Sequence, residues 1–282
     1  MMRIKPPSDD NRSAERIRIH YEIERNLADR LRHANNADRQ RLYPMVYDEL
    51  FRRVPDMPML TRGVDTSRQH RAVARQFALL SRFVRPGCVF LEIGAGDCAL
   101  SLEMARTARH VYAVDVSSEI AGALQAPENF HLAITDGTSI PVPPDCVDVA
   151  YSLSLIEHLH PDDALIQLKN ILRALKPGGV YVCLTPNRLN GPHDISKYFD
   201  DEAKGLHLKE YTNIDLSALY RQAGFRAMKP LAGPRERTFF VPLALVTTLE
   251  AGLLRLPRSA CWRIASWPPM RVLLGIKLVG WK

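Results

Sequence analysis

The arrangement of apolar and polar residues divides the chain into three parts. Between residues 88 and 186, short apolar runs alternate with longer segments of helical spacing. This alternation is typical of parallel strands joined by crossover helices. We predict strands over residues 89–93, 111–115, 130–135, 147–152 and 180–185. Helices are predicted over 97–107 and 161–175, with a short helix from Ser117, a helix over 213–223 and a sixth strand from Phe225.

The two flanking parts are predicted to be mainly helical. Before the sheet, we predict disorder over residues 1–12 and helices over 13–34, 44–54 and 68–83. These helices would cover a ligand cleft or pack on one edge of the sheet. After the sheet, residues 239–254 are almost wholly apolar, but they are fewer than the ~20 residues that a bilayer span requires. We predict a packed helical cap there, and interfacial membrane contact is the alternative.

The whole pattern predicts an α/β fold with a doubly wound, mostly parallel sheet of the Rossmann-like type. With 282 residues, 46% of them apolar, the chain is long enough to bury a sizeable core. We divide it into an N-terminal helical extension (1–84), a central domain (85–235) and a basic, apolar C-terminal extension (236–282). The sequence leaves the oligomeric state open.

The charge and the cysteines narrow the function classes. The net charge is +7, and residues 226–282 hold ten Lys or Arg residues against two Glu. The central domain therefore lacks the basic excess of a nucleic-acid-binding face, whereas the C-terminal part suits an anionic membrane surface. The five cysteines form no CxxC pair or Cys/His cluster, so we predict reduced thiols and no metal site. Because the N-terminus lacks the apolar region of a signal peptide, we predict a cytoplasmic protein. Peripheral contact with the inner face of the membrane, through the C-terminal part, is the alternative to a packed cap.

The stretch from 89 to 97, Val-Phe-Leu-Glu-Ile-Gly-Ala-Gly-Asp, predicts a ligand site. A strand that ends in Gly94 and Gly96 and leads into a helix lets the backbone approach an adenosine-type ligand. The same spacing fits dinucleotide-binding proteins. Glu92 and Asp97, however, place carboxylates where a pyrophosphate would dock, and they would repel it. A cationic ligand such as S-adenosylmethionine, which carries a sulfonium and an ammonium group and no phosphate, meets this constraint.

Further candidate ligand groups lie at the predicted carboxyl ends of the next strands, where doubly wound sheets bind ligands. Asp115 could accept hydrogen bonds from both ribose hydroxyls, or it could cap a helix. Asp136, before Gly137, could accept the adenine amine, or it could stabilise an Asp-Gly turn. A backbone carbonyl of Ser152 or Leu153 could hold an ammonium group.

Two histidines are candidate catalytic residues. His158 would face the methyl donor, where a neutral imidazole can take a proton from an acceptor hydroxyl; a backbone-bonded structural histidine is the alternative. We expect His160 to face solvent. His193 belongs to a long polar insertion, which we predict to be an acceptor lid over residues 186–211 with Asn187, Arg188 and Asp194 as further binding side chains.

Five motifs in this order resemble the class I S-adenosylmethionine-dependent methyltransferases, in particular the small-molecule branch with quinone- and glycan-pathway enzymes. They are Leu-Glu-Ile-Gly-Ala-Gly-Asp (91–97), Ala-Val-Asp-Val-Ser (113–117), Thr-Asp-Gly (135–137), Ser-x-x-x-Ile-Glu-His-Leu (152–159) and Leu-Lys-Pro-Gly-Gly (175–179). The chain departs from the family at Cys98, where many members have a third glycine. The resemblance implies S-adenosylmethionine as cofactor. The predicted cofactor-binding residues are Glu92, Gly94, Ala95, Gly96, Asp115, Val116, Asp136, Gly137, Ser152 and Leu153.

The predicted function is therefore methyl transfer, with an oxygen of a small-molecule, sugar or lipid-linked acceptor as the favoured destination. Three alternatives stay open at this point. A nicotinamide dehydrogenase would use the same glycine loop, although the acids disfavour it. A nucleic-acid methyltransferase would use the basic C-terminal part, although the segment after the fourth strand lacks the Asn/Asp-Pro-Pro-aromatic signature. A non-catalytic partner subunit would bind the donor and transfer nothing.

Overall fold

The computed structural model describes residues 10–57, 66–117, 125–234 and 237–282, and these contain an eight-stranded central sheet. The strands are β1 (Val89–Ile93), β2 (His110–Asp115), β3 (Phe130–Ile134), β4 (Val147–Leu153), β5 (Leu175–Thr185), β6 (Ala227–Ala232), β7 (Phe239–Phe240) and β8 (Ile276–Trp281). Their order across the sheet is β3-β2-β1-β4-β5-β8-β6-β7. Pairings among β1 to β5 are parallel, and those that involve β6, β7 or β8 are antiparallel. The predicted α/β fold is confirmed.

Helices cover both faces of the sheet. They are α1 (Ala14–His33), α2 (Asn36–Arg53), α3 (Thr66–Leu80), α4 (Ala99–Met104), α5 (Pro161–Ala174), α6 (Asn213–Ala223), α7 (Leu243–Leu253), α8 (Arg258–Ser266) and α9 (Pro268–Leu274). Alternate residues of β1 enter different cores, because successive side chains of a strand point to opposite faces. Leu91 packs with α1, α2, α5 and α6, whereas Phe90 packs with α3 and α4.

Several predicted helix bounds differ from the structure. The second helix begins at Asn36 rather than at Pro44, because the Asn35 side chain caps it by accepting a hydrogen bond from the Asp38 N–H. The helix after the glycine loop is only six residues long and begins at Ala99. The predicted helix over 68–83 is α3, which begins earlier and ends at Leu80. The short helix predicted from Ser117 and the disorder predicted over residues 1–12 fall largely outside the described residues.

The C-terminal segment contains three helices, of which α7 lies within the predicted helical cap, and the strands β7 and β8, which the sequence did not predict. Strand β8 lies between β5 and β6, and Val182 pairs with Val279 at its centre. Leu278 and Val279 enter the cores on opposite faces, and Gly280 leaves room for the Tyr220 ring, which a Cβ would approach to 2.7 Å. The division placed at residue 235 therefore does not separate the sheet from the C-terminal segment.

A search of the described residues finds no helix with both the length and the apolar character needed to cross a membrane.

One buried carboxylate attaches the N-terminal helices to the central domain. Asp163, in the first turn of α5, forms an ion pair with Arg39 of α2, with 2.5 Å between Oδ2 and Nε. Tyr43 and Asn36 donate further hydrogen bonds of 2.7 and 2.6 Å to the same carboxylate. Burial alone would raise the pKa of Asp163, but the bonds from Arg39, Tyr43 and Asn36 outweigh it and lower that pKa.

We expect Asp163→Asn to destabilise the fold by about 3 kcal/mol or more, because it leaves the buried Arg39 without its counter-charge. Chemical denaturation at pH 7 measures the free energy of unfolding. Asp162→Asn is the matched control, since the Asp162 side chain is 75% exposed and its loss should change stability by less than about 0.5 kcal/mol. Equal effects of the two substitutions would contradict the role of Asp163.

Candidate functional site

A cavity of about 170 Å³ lies at the carboxyl ends of β1, β2 and β4, under the second helix. This is the edge at which doubly wound sheets bind ligands. Its lining comes from α2, from the glycine loop, from the ends of the strands and from α5. The lining residues are Tyr43, Tyr47, Phe51, Ile93, Gly94, Val114, Asp115, Val116, Ser117, Thr135, Gly137, Ser154, Leu155, His158, Leu159 and Gln167.

The glycine loop adopts the backbone that its sequence predicts. Gly94 and Gly96 have φ values of +72° and +52°, which favour glycine. A Cβ on Gly94 would lie 3.1 Å from Leu155, whereas a Cβ on Gly96 would meet nothing within 4 Å. The loop is thus tight at its first glycine and open at its second. Cys98, at the position of the third glycine in many relatives, also has a positive φ of 58° and keeps the glycine-type conformation.

Three carboxyl groups surround this loop. Glu92 is buried and accepts a 2.5 Å hydrogen bond from the Ser101 hydroxyl. Burial, with smaller contributions from the charges of Asp97 and Asp115, raises the pKa of Glu92 to about 8. Asp97 lies before the helix, where it accepts from the Ala99 N–H and from Gln69. The site favours a cation, because a positive ligand would be attracted to these acidic groups and would lower the pKa of Glu92.

Asp115 faces the cavity and also shapes the loop. Its Oδ2 accepts a 2.8 Å hydrogen bond from the Gly96 N–H, and its Oδ1 accepts from the Val116 and Ser117 N–H groups. The carboxylate therefore joins the end of β2 to the open glycine. Ala95, between the two glycines of the loop, is buried, and its N–H donates to the carbonyl of Val114.

Asp136 lies outside the cavity lining, although its neighbour Gly137 belongs to it. Its two oxygens accept four hydrogen bonds, from the N–H and hydroxyl groups of Thr138 and Ser139. The structure thus shows Asp136 in the turn-stabilising role that was the alternative in the sequence, and its contact with adenine stays a prediction.

At the end of β4, the backbone carbonyls of Ser152 and Leu153 stay predicted ligands of an ammonium group, while the side chains take other positions. The Ser152 side chain points into the core, where its hydroxyl lies 2.7 Å from that of Tyr181, and Leu153 is exposed. Ser154 and Leu155, which the sequence analysis did not select, line the cavity instead. Ser154 has a φ of +50°, a strained backbone for a non-glycine residue that turns the chain at the cavity wall.

The aromatic roof of the cavity was also missed. Tyr43, Tyr47 and Phe51 lie at intervals of four residues along α2, so they share one face of the helix. The predicted helix began at Pro44 and therefore excluded Tyr43. The four-residue spacing of these aromatic residues could have revealed the shared face.

His158 lines the cavity on a short 3₁₀ turn, Ile156–His158. Its Nδ1 lies 3.1 Å from the carbonyl oxygen of Leu206, so Nδ1 carries the proton and Nε2 keeps a lone pair. Burial, and then the neighbouring His207, lower the pKa of His158 to about 3. The imidazole is therefore neutral and a weaker base than the unperturbed group that the sequence analysis assumed. Its catalytic role stays a prediction.

A larger groove of about 610 Å³ lies beside the cavity, between the predicted lid and the C-terminal helices. His207 lines this groove, and its ring centroid is 4.7 Å from that of His158. The two histidines therefore separate the groove from the cavity. One side of the groove is lined by charged side chains of the lid, which include Arg188, Asp201, Glu202 and Lys209. The other side is lined by residues of α7, α8 and the turn between them, which include Leu253, Leu254, Leu256, Arg258 and Trp262.

The other predicted lid residues form hydrogen bonds within the protein. His193 lines neither the cavity nor the groove; its Nε2 is bonded to the Asn187 carbonyl and its backbone N–H to Glu210, and its catalytic role stays a prediction. Asn187 is buried against Glu250, and Asp194 accepts from the Ser196 and Gly205 N–H groups. His160 caps α5 by accepting from the Asp162 N–H. Of the four lid side chains, Arg188 lines the groove, whereas Asn187 and His193 line a separate cavity of about 170 Å³ beside α9.

Comparison with known proteins agrees with this geometry. Residues 91–183, which hold the glycine loop, Asp115 and His158, match the family described as a methyltransferase domain. Residues 91–183 are therefore similar to a methyltransferase domain. A probable S-adenosylmethionine-dependent methyltransferase of Mycolicibacterium smegmatis is 30% identical over 137 residues, which are 48% of this chain and 51% of that protein. The chain thus spans about half the length of this curated relative.

Solved structures share the fold. A putative methyltransferase complexed with its Trm112 activator, from Haloferax volcanii, has a TM-score of 0.50 at 17% identity and covers 76% of this chain and 93% of its own. A methyltransferase of Mesorhizobium loti has a TM-score of 0.50 at 15% identity and covers 74% and 98%. The cofactor expected from the sequence is confirmed as S-adenosylmethionine. The acids around the loop suit a sulfonium and an ammonium group and the open side of Gly96 leaves space, whereas the cavity of about 170 Å³ must widen to admit the whole molecule.

The raised pKa of Glu92 predicts how stability depends on pH. In the unfolded chain the Glu92 carboxyl ionises near its ordinary pKa, whereas in the folded protein its pKa is about 8. Between these two values, the unfolded chain has lost the proton that the folded protein still holds. Stability should therefore fall as pH rises through this window, by at most about 1.4 kcal/mol per unit. Glu92→Gln removes this loss, so its advantage over the wild type in free energy of unfolding should grow from pH 5 to pH 8. Glu103→Gln, on the partly exposed face of α4, should show no such trend. A Glu92→Gln difference independent of pH would reject the assignment.

Proposed function

We propose that this protein transfers a methyl group from S-adenosylmethionine to an oxygen of a polar acceptor that is carried by a sugar, a lipid or another small molecule. The observation that carries the proposal is the adjacency of two spaces. The cavity ends at His158, and the groove begins at His207, whose ring is in contact with that of His158. A donor in the cavity and an acceptor in the groove would approach this pair from its two sides, and methyl transfer would require the two rings to move apart.

In the proposed reaction the bound donor supplies an activated methyl group, whose bond to sulfur breaks, with its electrons left on sulfur, as the bond to the acceptor oxygen forms. The protein's task is then to align the two molecules and exclude water. The apolar roof of Tyr43, Tyr47 and Phe51 serves the exclusion of water. Asp115 and the Gly94–Gly96 loop serve the alignment of the donor.

His158 is suited to receive the acceptor's proton late in the reaction. A base whose pKa is about 3 does not ionise a sugar hydroxyl in advance. Once the methyl group is attached, however, the oxygen becomes strongly acidic, and the lone pair on the His158 Nε2 is basic enough to accept its proton. Nδ1 stays bonded to the Leu206 carbonyl throughout, so the orientation of the ring is fixed.

The groove supports an acceptor with a polar head and an apolar tail. Arg188, Asp201 and Glu202 offer charged and hydrogen-bonding groups on the lid side. On the other side, Leu254, Leu256 and Trp262 line the groove and are at least 40% exposed. The apolar wall therefore continues onto the protein surface, which suits a lipid-linked acceptor.

The same surface supports peripheral membrane contact. Among the described residues, eight of the twelve exposed large apolar side chains fall between residues 239 and 267, and they include Trp262 and Trp267. Arg255, Arg263 and Arg271 are exposed in this region and would favour anionic lipid. We propose that α8 and its flanks lie on the membrane surface with the groove facing it.

Donor binding is tested by calorimetry with S-adenosylmethionine. Asp115→Asn should weaken binding by about tenfold or more, because it removes a charge that faces the cavity and holds Gly96. Asp148→Asn is the matched control. Asp148 also accepts a backbone N–H, from Val89, but it lies at the opposite edge of the sheet, so donor affinity should not change. Wild-type affinity in the Asp115 variant would contradict the placement.

The acceptor is sought by mass spectrometry of glycan and lipid extracts incubated with the purified protein and the donor. A product heavier by one CH₂ unit should form with the wild type, and at a donor concentration below saturation it should form more slowly with Asp115→Asn. Donor binding without any methylated product would favour the alternative of a non-catalytic partner subunit.

Membrane contact is tested by sedimentation with phosphatidylcholine vesicles with and without phosphatidylglycerol. The wild type should bind the anionic vesicles, and Trp262→Ser/Trp267→Ser should reduce the bound fraction by about tenfold, since both indoles are at least half exposed. Ile134→Ser, an exposed apolar residue on edge strand β3, serves as control. Equal binding by the two variants would reject this surface.

A further inference from the structure

Three side chains with metal-ligand chemistry converge between the cavity and the groove. Each of Glu157, His158 and His207 offers one atom that could bind a metal ion, and these three atoms lie within 4.8 Å of one another. Glu157 is fully buried, His207 is 9% exposed and His158 is half-buried. Two of the three come from adjacent positions after β4. The third comes from the lid, so the group exists only in the folded chain and no sequence spacing reveals it.

The hydrogen bonds around the two histidines leave the same ring atom available on each. His158 Nδ1 donates to the Leu206 carbonyl, and His207 Nδ1 lies 2.8 Å from Glu210 Oε1. Histidines that bind metals characteristically use one ring nitrogen for the ion and donate the other N–H to a carbonyl or a carboxylate. Both partners are present here, and the Nε2 atoms keep their lone pairs.

The carboxylate of Glu157 likewise has one oxygen in a hydrogen bond and one oxygen available for a metal ion. Its Oε2 accepts a 2.8 Å hydrogen bond from the Thr185 hydroxyl, whereas its Oε1 is buried without a hydrogen-bond partner. An unpaired buried carboxylate oxygen is costly unless something compensates for it. The unpaired Oε1 atom of Glu157 thus belongs to the same residue cluster as the imidazoles of His158 and His207.

We propose that Glu157, His158 and His207 form a binding site for one divalent transition-metal ion, with Zn²⁺ as the ion that best fits two imidazoles and one carboxylate. Three protein ligands leave a fourth position open, as in catalytic rather than structural zinc sites. The ligand atoms of a tetrahedral zinc ion lie about 3.4 Å apart, so small side-chain rotations would close the observed spacing. If the proposed function holds, the open position would take the acceptor oxygen, whose proton would leave to solvent because the metal lowers its pKa.

This site would give His158 a second role, as a ligand rather than a base. The lone pair of Nε2 cannot bind a metal and a proton together, so the two roles exclude each other. Metal occupancy therefore decides which of them applies.

The site is tested on the full chain, independently of methyl transfer. The purified protein is stripped with a chelator, loaded with Co²⁺ or Zn²⁺, and passed through a desalting column. We expect one retained Zn²⁺ per chain by mass spectrometry and the intense visible bands of tetrahedral Co²⁺. His207→Gln and Glu157→Gln should each weaken Zn²⁺ binding by about 100-fold, and Glu210→Gln by about tenfold, since it removes only the partner of a ligand.

The matched control is His33→Gln, which replaces an exposed histidine at the end of α1 and should bind as the wild type does. Circular dichroism confirms that each variant is folded, and Gln at 157 can still accept the hydrogen bond from Thr185. Absence of Co²⁺ bands in the wild type, or equal Zn²⁺ retention by His207→Gln and His33→Gln, would overturn the site. Neither result would affect donor binding, so failure here is distinguishable from failure of the proposed function.

Discussion

The ion pair between Arg39 and Asp163 is the interaction on which the donor cavity depends. It is buried, it carries two additional hydrogen bonds to the carboxylate, and it joins α2 to the first turn of α5. Because α2 also supplies the aromatic roof, the same contact that attaches the N-terminal helices closes the cavity. Tyr43 takes part in both, with its hydroxyl on Asp163 and its ring against the position of Gly137. The N-terminal helices are therefore a wall of the site rather than an appendage.

The cavity is also smaller than the 300 Å³ or more that is usual for small-molecule sites. Its floor is built from a sheet and a glycine loop with defined backbone geometry, and its roof consists of side chains on one helix. A donor of nucleoside size would displace the roof more readily than the floor. The strength of the Arg39–Asp163 contact thus determines the free energy needed to move the roof when the donor binds, and this cost reduces donor affinity.

Local signals predicted the floor of the site, and tertiary contacts determined the rest. Gly94, Gly96 and Asp115 each follow a strand that its apolar run makes recognisable, so their meeting at one edge followed from the sequence. Asp136 shows the limit of that reasoning, because an acid before a glycine can serve a ligand or a turn, and the sequence does not reveal the four hydrogen bonds that it accepts in the turn. His207 approaches His158 through the path of the lid, which no periodicity describes. Strand β8 was missed because a six-residue apolar run fits a helix as well as a strand.

The position of β8 has a consequence for how the chain folds during synthesis. It follows every other described element in the sequence, yet it lies between β5 and β6. Until it leaves the ribosome, both neighbours present unpaired backbone groups, and β6 has no place in the sheet. Closing a loop of roughly 90 residues between β5 and β8 makes this a late, slow contact. The nascent protein would therefore pass through a stage with a half-finished sheet, in which chaperones or a second chain could occupy the gap.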